Sequence, residues 1–431
     1  MTILDLPPIT TELYHRVSLP FGWNDGESSQ LIVDSIESYF CFSLVCSEPS
    51  DVPRQAIVSF ENVQATEETR PTPTLNPYAD VPIIGRLNID LDKTYSRSTC
   101  LMKPQRIGYF SLRIDRKLNK EIYLPDKSQL RYLSLLTRGP KELNLLQNFD
   151  PKTVWSRCPS DLHILRWYMD NKIDFILDET LSNFEPDFIT DIRSLTTIMS
   201  SPYDKWNDWD IIGVKIGDKI ILHEVDTTMR KNSIARQTDT QNASSYAGYK
   251  FESLVTRRFD GKKCSTYYGG LRDSFHGVLV TKVGQHNILY NSRYCCAKNK
   301  SQLDAAINDM EFVEIKTRYA SRAWHSRLVG LWARSILSNT NFTVVGQRDE
   351  DFKVNLTKVQ WEYTDKMPSH RKGWSPKTMV DCLLSTMDFI KTQIIESNIV
   401  YRFNHSHGNP IVCQQLDEPF TKFIPDWYVN F

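Results

Sequence analysis

The sequence predicts an α/β chain of the α+β kind, with a mixed β-sheet core flanked by helices and an N-terminal extension. Three observations carry that expectation. From about Arg106 onward, short apolar runs of strand length alternate with longer stretches at helical spacing. The 431 residues are 40% hydrophobic and 24% charged, which is ordinary globular composition and excludes a wholly disordered or collagen-like chain. No internal repeat or heptad rod is visible, and no apolar run approaches the roughly 18 residues that span a bilayer.

Residues 1–100 read as the extension. Leu31 to Val33 and Tyr39 to Val45 are apolar runs that suit strands or buried turns. The stretch near 65–80, with Pro71, Pro73 and Pro77, reads as a linker-like segment. Residues 101–431 then read as one domain. Ile107 to Leu112 suits a strand, and Asp161 to Lys172 has its apolar residues at helical spacing. Trp209 to Ile216 and Lys219 to Val225 flank Gly217-Asp218, a hairpin signal. Tyr246 to Arg258 predicts a helix. Gly277 to Val283 and Asn287 to Tyr290 predict a second hairpin around Gly284. Phe312 to Thr317 and Thr343 to Gly346 predict strands, and Trp324 to Leu337 and Met379 to Ser397 predict helices.

The charge balance narrows function. With 52 basic and 52 acidic side chains, the chain is no overall polycationic clamp, although a local basic groove remains open. The nine cysteines are scattered without a C-x-x-C, so reduced thiols are expected rather than a disulfide framework or structural zinc. The first residues have no basic n-region and no sustained apolar core, so no secretory leader is expected, and no membrane partner.

Phe312-Val313-Glu314-Ile315-Lys316-Thr317 is the most informative local pattern. On a strand, residues two apart share a face, so Glu314 and Lys316 project together. A carboxylate can hold a divalent metal and a neighbouring ammonium can orient water or offset phosphorane charge. An ordinary solvated sheet face can carry the same pattern. In Gly248-Tyr249-Lys250-Phe251-Glu252, Gly248 is expected to open the helix and Glu252 to lie one turn in.

With their surroundings these segments resemble the DXO family of decapping exoribonucleases, from about Ile107 to the C-terminus. The similar segments fall in the family's order. They are Ile107 to Ser111, Phe188 to Thr190 with Ser201-Pro202-Tyr203, Trp209 through Thr227, Gly248 to Glu252, Val313 to Thr317, Gly346 to Asp349, Gly373 to Pro376 and Phe423 to Val429. The resemblance implies a PD-(D/E)xK nuclease-like core and a cleft for an RNA 5′ end. It also implies two divalent metals, Mg or Mn, in active members. Glu252, Glu314 and Lys316 match the family's metal and water ligands.

The chain departs from that pattern at the metals. Arg293 and Cys295 stand where the family carries an E-Φ-D pair, and no Asp or Glu occurs from Ser274 to Leu303. Glu224 and Asp226 are an alternative ligand source, although the family has its own acidic strand end there. The family's arginine before its L-T-K segment aligns to Ile192, with Arg193 next. Arg334 replaces a glutamine in Trp332-Ala333-Arg334-Ser335. Losing two carboxylates and gaining one guanidinium swings the local charge by about three units, which disfavours two divalent ions.

The expectation is therefore an RNA 5′-end-binding protein with a degenerate metal centre, using Arg193, Arg293, Arg327 and Arg334 for RNA and needing no cofactor. Arg257, Arg258, Lys262 and Lys263 add a basic run after the Glu252 helix. The family context implies a nuclear location, with the cytoplasm as the alternative. It implies nuclear protein partners, such as a nuclear 5′→3′ exoribonuclease or chromatin-linked factors. The role would be to shield transcripts or recruit partners in RNA processing or piRNA-source transcription. The rival expectation is an active metal-dependent decapping enzyme and 5′→3′ exoribonuclease with a modified site. A third is a pure protein-interaction scaffold with a filled cleft.

Overall fold

A computed structural model gives the architecture. It describes residues 76–89, 101–115, 117–118, 120–135, 141–151, 162–177, 184–264, 272–320, 328–370 and 373–429. The apolar runs expected at 31–45, the linker-like segment up to residue 75, Trp324 and Arg327 lie outside the described residues.

In chain order, β1 (Ile83–Leu87) is followed by β2 (Gln105–Asp115), β3 (Lys120–Leu124), β4 (Arg131–Leu133) and β5 (Glu142–Asn144). Helix α1 (His163–Leu177) leads to β6 (Phe188–Asp191). The Asp191 side chain then caps α2 (Ile192–Ser200) by accepting from the Ser194 amide. β7 (Trp209–Ile216) and β8 (Lys219–Val225) form the expected hairpin, with Gly217 at φ 61 in its two-residue loop. Next come α3 (Thr228–Ala235) and α4 (Asp239–Val255), the latter opened by a Thr238–Gln241 capping box. β9 (Thr256–Arg258) follows without a break.

β10 (Ser274–Val283) and β11 (His286–Tyr294) form the second expected hairpin, with Gly284 at φ 58. β12 (Cys296–Ala297), β13 (Phe312–Tyr319) and α5 (Leu328–Leu337) come next. They lead to β14 (Phe342–Arg348), β15 (Lys353–Asn355) and β16 (Gln360–Tyr363). Ser375 caps α6 (Pro376–Gln393), whose proline occupies the first turn, where its missing N–H costs nothing. β17 (Val400–His405), β18 (Ile411–Leu416) and the short α7 (Asp426–Val429) complete the described chain.

Among the described residues ten strands form the large sheet, in the order β1-β18-β17-β7-β8-β6-β11-β10-β2-β3. It is mixed because β6 runs parallel to both β8 and β11 while the other pairs are antiparallel. The smaller sheet runs β5-β15-β14-β13-β12-β4-β9, with β16 also on β14. Only Cys295 separates β11 in the large sheet from β12 in the small one, so the site residues cluster at this corner. Side chains of α2, α5 and α6 pack on one face of the large sheet, around Leu195, Trp332 and Leu383. Residues of α1 and α7 cover the other, with Phe110, Ile164 and Leu289 at its centre. Helix α4 lies on the small sheet through Phe251 and Val255. Gly346 makes that approach fit, since a Cβ there would stand 2.7 Å from the Phe251 ring.

Several local expectations need correcting. Helix α4 spans Asp239–Val255, not Tyr246 to Arg258. Gly248 is therefore interior to the helix rather than at its entrance, and Glu252 sits in the last turn. The end comes early because Thr256 turns extended (φ −118, ψ 159) and Thr256–Arg258 pairs with β4, a contact that no local propensity announces. Helix α6 begins at Pro376 and stops at Gln393, short of the expected Ser397. Strand β1 lies in the stretch assigned to the extension, yet it pairs with β18. The Gln414 amide ties the same stretch down by donating to the Tyr78 and Val81 carbonyls (3.0 and 2.6 Å). Among the described residues no helix is long and apolar enough to cross a membrane.

Candidate nucleic-acid pocket at the sheet corner

Glu252 is delivered to the corner by the last turn of α4, and its side chain is 6% exposed. Three arginines from three separate parts of the chain converge on its carboxylate. Arg272 Nη1 donates to Oε2 at 2.8 Å, and Arg293 donates to both oxygens at 3.2 and 3.4 Å. Arg131 Nη1 lies 3.9 Å from Oε1. Arg272 is also stacked over the Tyr249 ring, 4.7 Å from its centroid, one turn back on α4. Arg293 leaves β11 on the side that the alternation dictates, together with Cys295. The Cys295 thiol lies 3.7 Å from Glu252 Oε2. Burial and then the negative charges of Glu252 and Glu314 push that thiol well above its usual range, so it stays neutral.

Glu314 occupies β13 as expected, with the Lys316 ammonium 2.8 Å from its Oε1. The face is not solvated, because Glu314 is buried. Burial pushes its carboxyl up, but Lys316 and then Arg334 outweigh that effect and hold it below the usual carboxylate range. Arg334, on α5, places Nε 3.9 Å from Glu314 Oε2 and donates from Nη2 to the Arg293 carbonyl at 3.0 Å. Arg334 thereby links the Glu252 and Glu314 groups of the cluster. Arg131, Arg272, Arg293, Arg334 and Lys316 face Glu252 and Glu314, an excess of three positive charges.

Glu224 and Asp226 are held by a different set of cations. Glu224 accepts from Thr197 (3.2 Å) and Arg230 (3.5 Å), and Arg193 Nε lies 3.9 Å from it. Asp226 pairs with Arg230 at 3.2 Å. Arg193 also stands 3.9 Å from Asp191, the cap of α2. Among the described residues, no group of three or more His, Cys, Asp or Glu side chains is placed to hold a metal ion. The donor set does not fit two divalent cations as it stands. Its two carboxylates already have guanidinium or ammonium neighbours, and its one thiol is protonated.

The structure thus brings Glu252, Glu314, Lys316, Arg293 and Arg334 together and places Arg193, Glu224 and Asp226 in the second cluster; Arg327 lies outside the described residues. Sequence reasoning missed Arg131 and Arg272. Neither sits in a motif, and their convergence depends on the β4–β9 pairing and on the return of the chain at residue 272. The signal that was available is the acid-free stretch from Ser274 to Leu303, which leaves nearby arginines to find partners elsewhere.

Behind Arg293, His276 on β10 stacks on Phe110 with the rings 5.0 Å apart and 8° from parallel. Its ring nitrogens lie 3.0 Å from Ser274 Oγ and 3.1 Å from Asn291 Nδ2. Burial first, and then electrostatic repulsion from His163, Arg334 and Arg272, lower its pKa to about 3.

Comparison with known proteins places this geometry in context. The family model described as "RAI1 like PD-(D/E)XK nuclease" matches residues 102–429. The rat decapping and exoribonuclease protein is 24% identical over 356 residues, covering 76% of this chain and 85% of its own. The Yarrowia lipolytica decapping nuclease RAI1 is 26% identical over 363 residues, covering 76% and 95%. Among solved structures, Candida albicans Rai1 in complex with pU5 and Mn2+ superposes with a TM-score of 0.60. It is 17% identical, and the match covers 78% of this chain and 96% of that one. Schizosaccharomyces pombe Rai1 gives a TM-score of 0.57 at 19% identity, covering 73% and 94%.

Proposed function

This chain belongs to the RAI1-like PD-(D/E)XK nuclease family, and from that premise we propose that it binds RNA 5′ ends in a pocket where arginines have taken over the carboxylates. Cleavage is reduced or lost. The observation that carries this reading is the grip of Arg131, Arg272 and Arg293 on Glu252. A buried carboxylate that neutralises guanidinium groups is not available to a divalent ion without breaking those pairs. The remaining excess of positive charge suits a 5′-phosphate, which guanidinium groups bind through paired hydrogen bonds. In this proposal Arg293 and Arg334 orient the terminal phosphate, and Lys316 keeps Glu314 ionised beside it. The protein then shields transcript ends or recruits nuclear partners, a nuclear 5′→3′ exoribonuclease or chromatin-linked factors among them, in RNA processing or piRNA-source transcription.

The test pairs binding with turnover. Fluorescence anisotropy with 5′-phosphorylated RNA is expected to show binding that weakens steeply with salt. The same preparation, given Mg2+ or Mn2+ and 5′-phosphate, 5′-triphosphate or capped RNA, is expected to release neither nucleotide nor cap. Metal-dependent release that Glu314→Ala abolishes would overturn the proposal. One observation favours the rival reading of an active decapping nuclease, namely the retained Glu314–Lys316 pair at 2.8 Å. That reading requires an added metal ion to displace the arginines from Glu252, or to recruit Glu224 or Asp226. Binding that shows no salt dependence would instead favour the scaffold.

A further inference from the structure

Strand β9 is the root of a short hairpin paired to β4, the strand that carries Arg131 to Glu252. Helix α4 ends three residues after Glu252, and Arg272 pairs with that carboxylate at 2.8 Å. Arg257 anchors the root by donating to the Leu254 and Thr256 carbonyls (3.0 and 2.7 Å) and forms a bridge with Lys263. At the tip, the Arg258 amide donates to the Lys262 carbonyl (3.0 Å) and the Gly261 amide to the Arg258 carbonyl (2.8 Å). Gly261 has φ 77, which is the left-handed residue that a three-residue hairpin loop needs. Phe259, in that loop, is 64% exposed.

Pairing aligns the cations of this hairpin with the pocket. Arg131 on β4 stands directly opposite Arg258 on β9, and opposed residues of an antiparallel pair share a face. Arg131 is the residue that reaches Glu252, so Arg258 continues the same cationic face outward, and Lys262 continues it again across the turn. Side-chain exposure rises along this line, from 14% at Arg131 to 50% at Arg258 and 81% at Lys262. Asp260 offsets part of the charge, at 4.0 Å from Arg258 and 3.6 Å from Lys262, and leaves the face of Arg131, Arg258 and Lys262 positive. A line of cations leading away from the arginine cluster at Glu252, ending beside an exposed phenyl ring, fits a single-stranded nucleic acid. Its backbone is charged at every step and its bases stack on aromatic faces.

We infer that the 256–263 hairpin is a docking arm for the RNA strand downstream of the 5′ end. Arg258 and Lys262 contact phosphates and Phe259 stacks a base. This inference rests on the RNA-binding reading above.

The test compares wild type, Phe259→Ala and the Arg258→Ser/Lys262→Ser double variant by anisotropy. The probe is a 5′-phosphorylated RNA of about twelve nucleotides, with uridine 5′-monophosphate as a probe of the pocket alone. Phe259→Ala is expected to weaken the long RNA about tenfold, as loss of one stacked base does. The double variant is expected to flatten the salt dependence by about 1.4 logarithmic units per decade of salt, the value for two phosphates on a single strand. Neither change is expected to alter mononucleotide binding, and all three side chains are exposed enough for folding to be checked simply by circular dichroism. Wild-type protein that binds the long RNA no better than the variants do overturns the docking arm and leaves the pocket standing. Wild-type protein that binds neither probe overturns both. Variants that lose an acidic peptide or anionic vesicles while keeping RNA would likewise overturn the assignment.

Discussion

Replacing Glu252 by Gln separates two accounts of the pocket by the sign of a stability change. In a metal centre without its metals, clustered carboxylates repel one another, and neutralising one relieves strain. Here Glu252 is the shared counter-ion of Arg131, Arg272 and Arg293, with hydrogen bonds of 2.8 to 3.4 Å from the last two. Glu252→Gln keeps the shape, removes the charge and leaves three guanidinium groups packed together. Breaking a buried ion pair by removing one partner costs about 3–5 kcal/mol. For a folded region of this size that is a fall in Tm of about 5 °C. Thermal and urea unfolding of both proteins, in chelator and again with excess Mn2+, measure it. The expected result is a less stable variant in chelator and no Mn2+ stabilisation of wild type. A variant that is more stable than wild type in chelator, or a wild-type Tm that climbs with Mn2+, would show that Glu252 is poised for metal and would refute the reasoning.

Other consequences can be checked independently. The Arg293→Glu/Cys295→Asp double variant exchanges one cation and one neutral thiol for two carboxylates, leaving four cations against four acids. It is expected to gain Mn2+ binding by calorimetry where wild type shows none, and equal heats for the two proteins would count against the charge argument. Part of the acid sensitivity should trace to two buried imidazoles. His276 is lowered to about 3 and His405 to about 4, in both cases chiefly by burial. The unfolded chain takes up those protons below about pH 6.5 while the folded chain does not. Their contribution to stability is therefore intact above that value and is lost as the pH falls toward 3–4, at up to about 1.4 kcal/mol per unit for each group. His276→Gln is expected to flatten urea midpoints across that window, and an unchanged slope would exclude it. Gly346→Ala should lose about 1–3 kcal/mol, because its Cβ would meet the Phe251 ring at 2.7 Å; an unaltered Tm would mean that α4 shifts freely.

Much of the site was legible in residue order alone. The two-residue period of a strand put Glu314 and Lys316 on one face, and they lie 2.8 Å apart. The acid-free stretch around Arg293 left that arginine to find its carboxylate elsewhere in the chain, and it meets Glu252. Both hairpins followed from glycines whose positive φ angles their turns require. Helix α4 differs from the expected bounds at both ends. Its start depends on a capping box at Thr238 and Gln241, and its stop depends on β4, over 120 residues earlier in the chain.

The sequence by itself determined which charges this protein has to place, because a stretch from Ser274 to Leu303 that holds Arg293 and no Asp or Glu is a fact of composition. Only the tertiary structure decided where those charges go. Arg131, Arg272 and Arg293 meet Glu252 because β4 pairs with β9, the chain returns at residue 272, and β11 reaches the corner between the sheets. Ion pairing acts over a few ångströms of space with no regard for separation along the chain, so its partners are set by packing and not by local order.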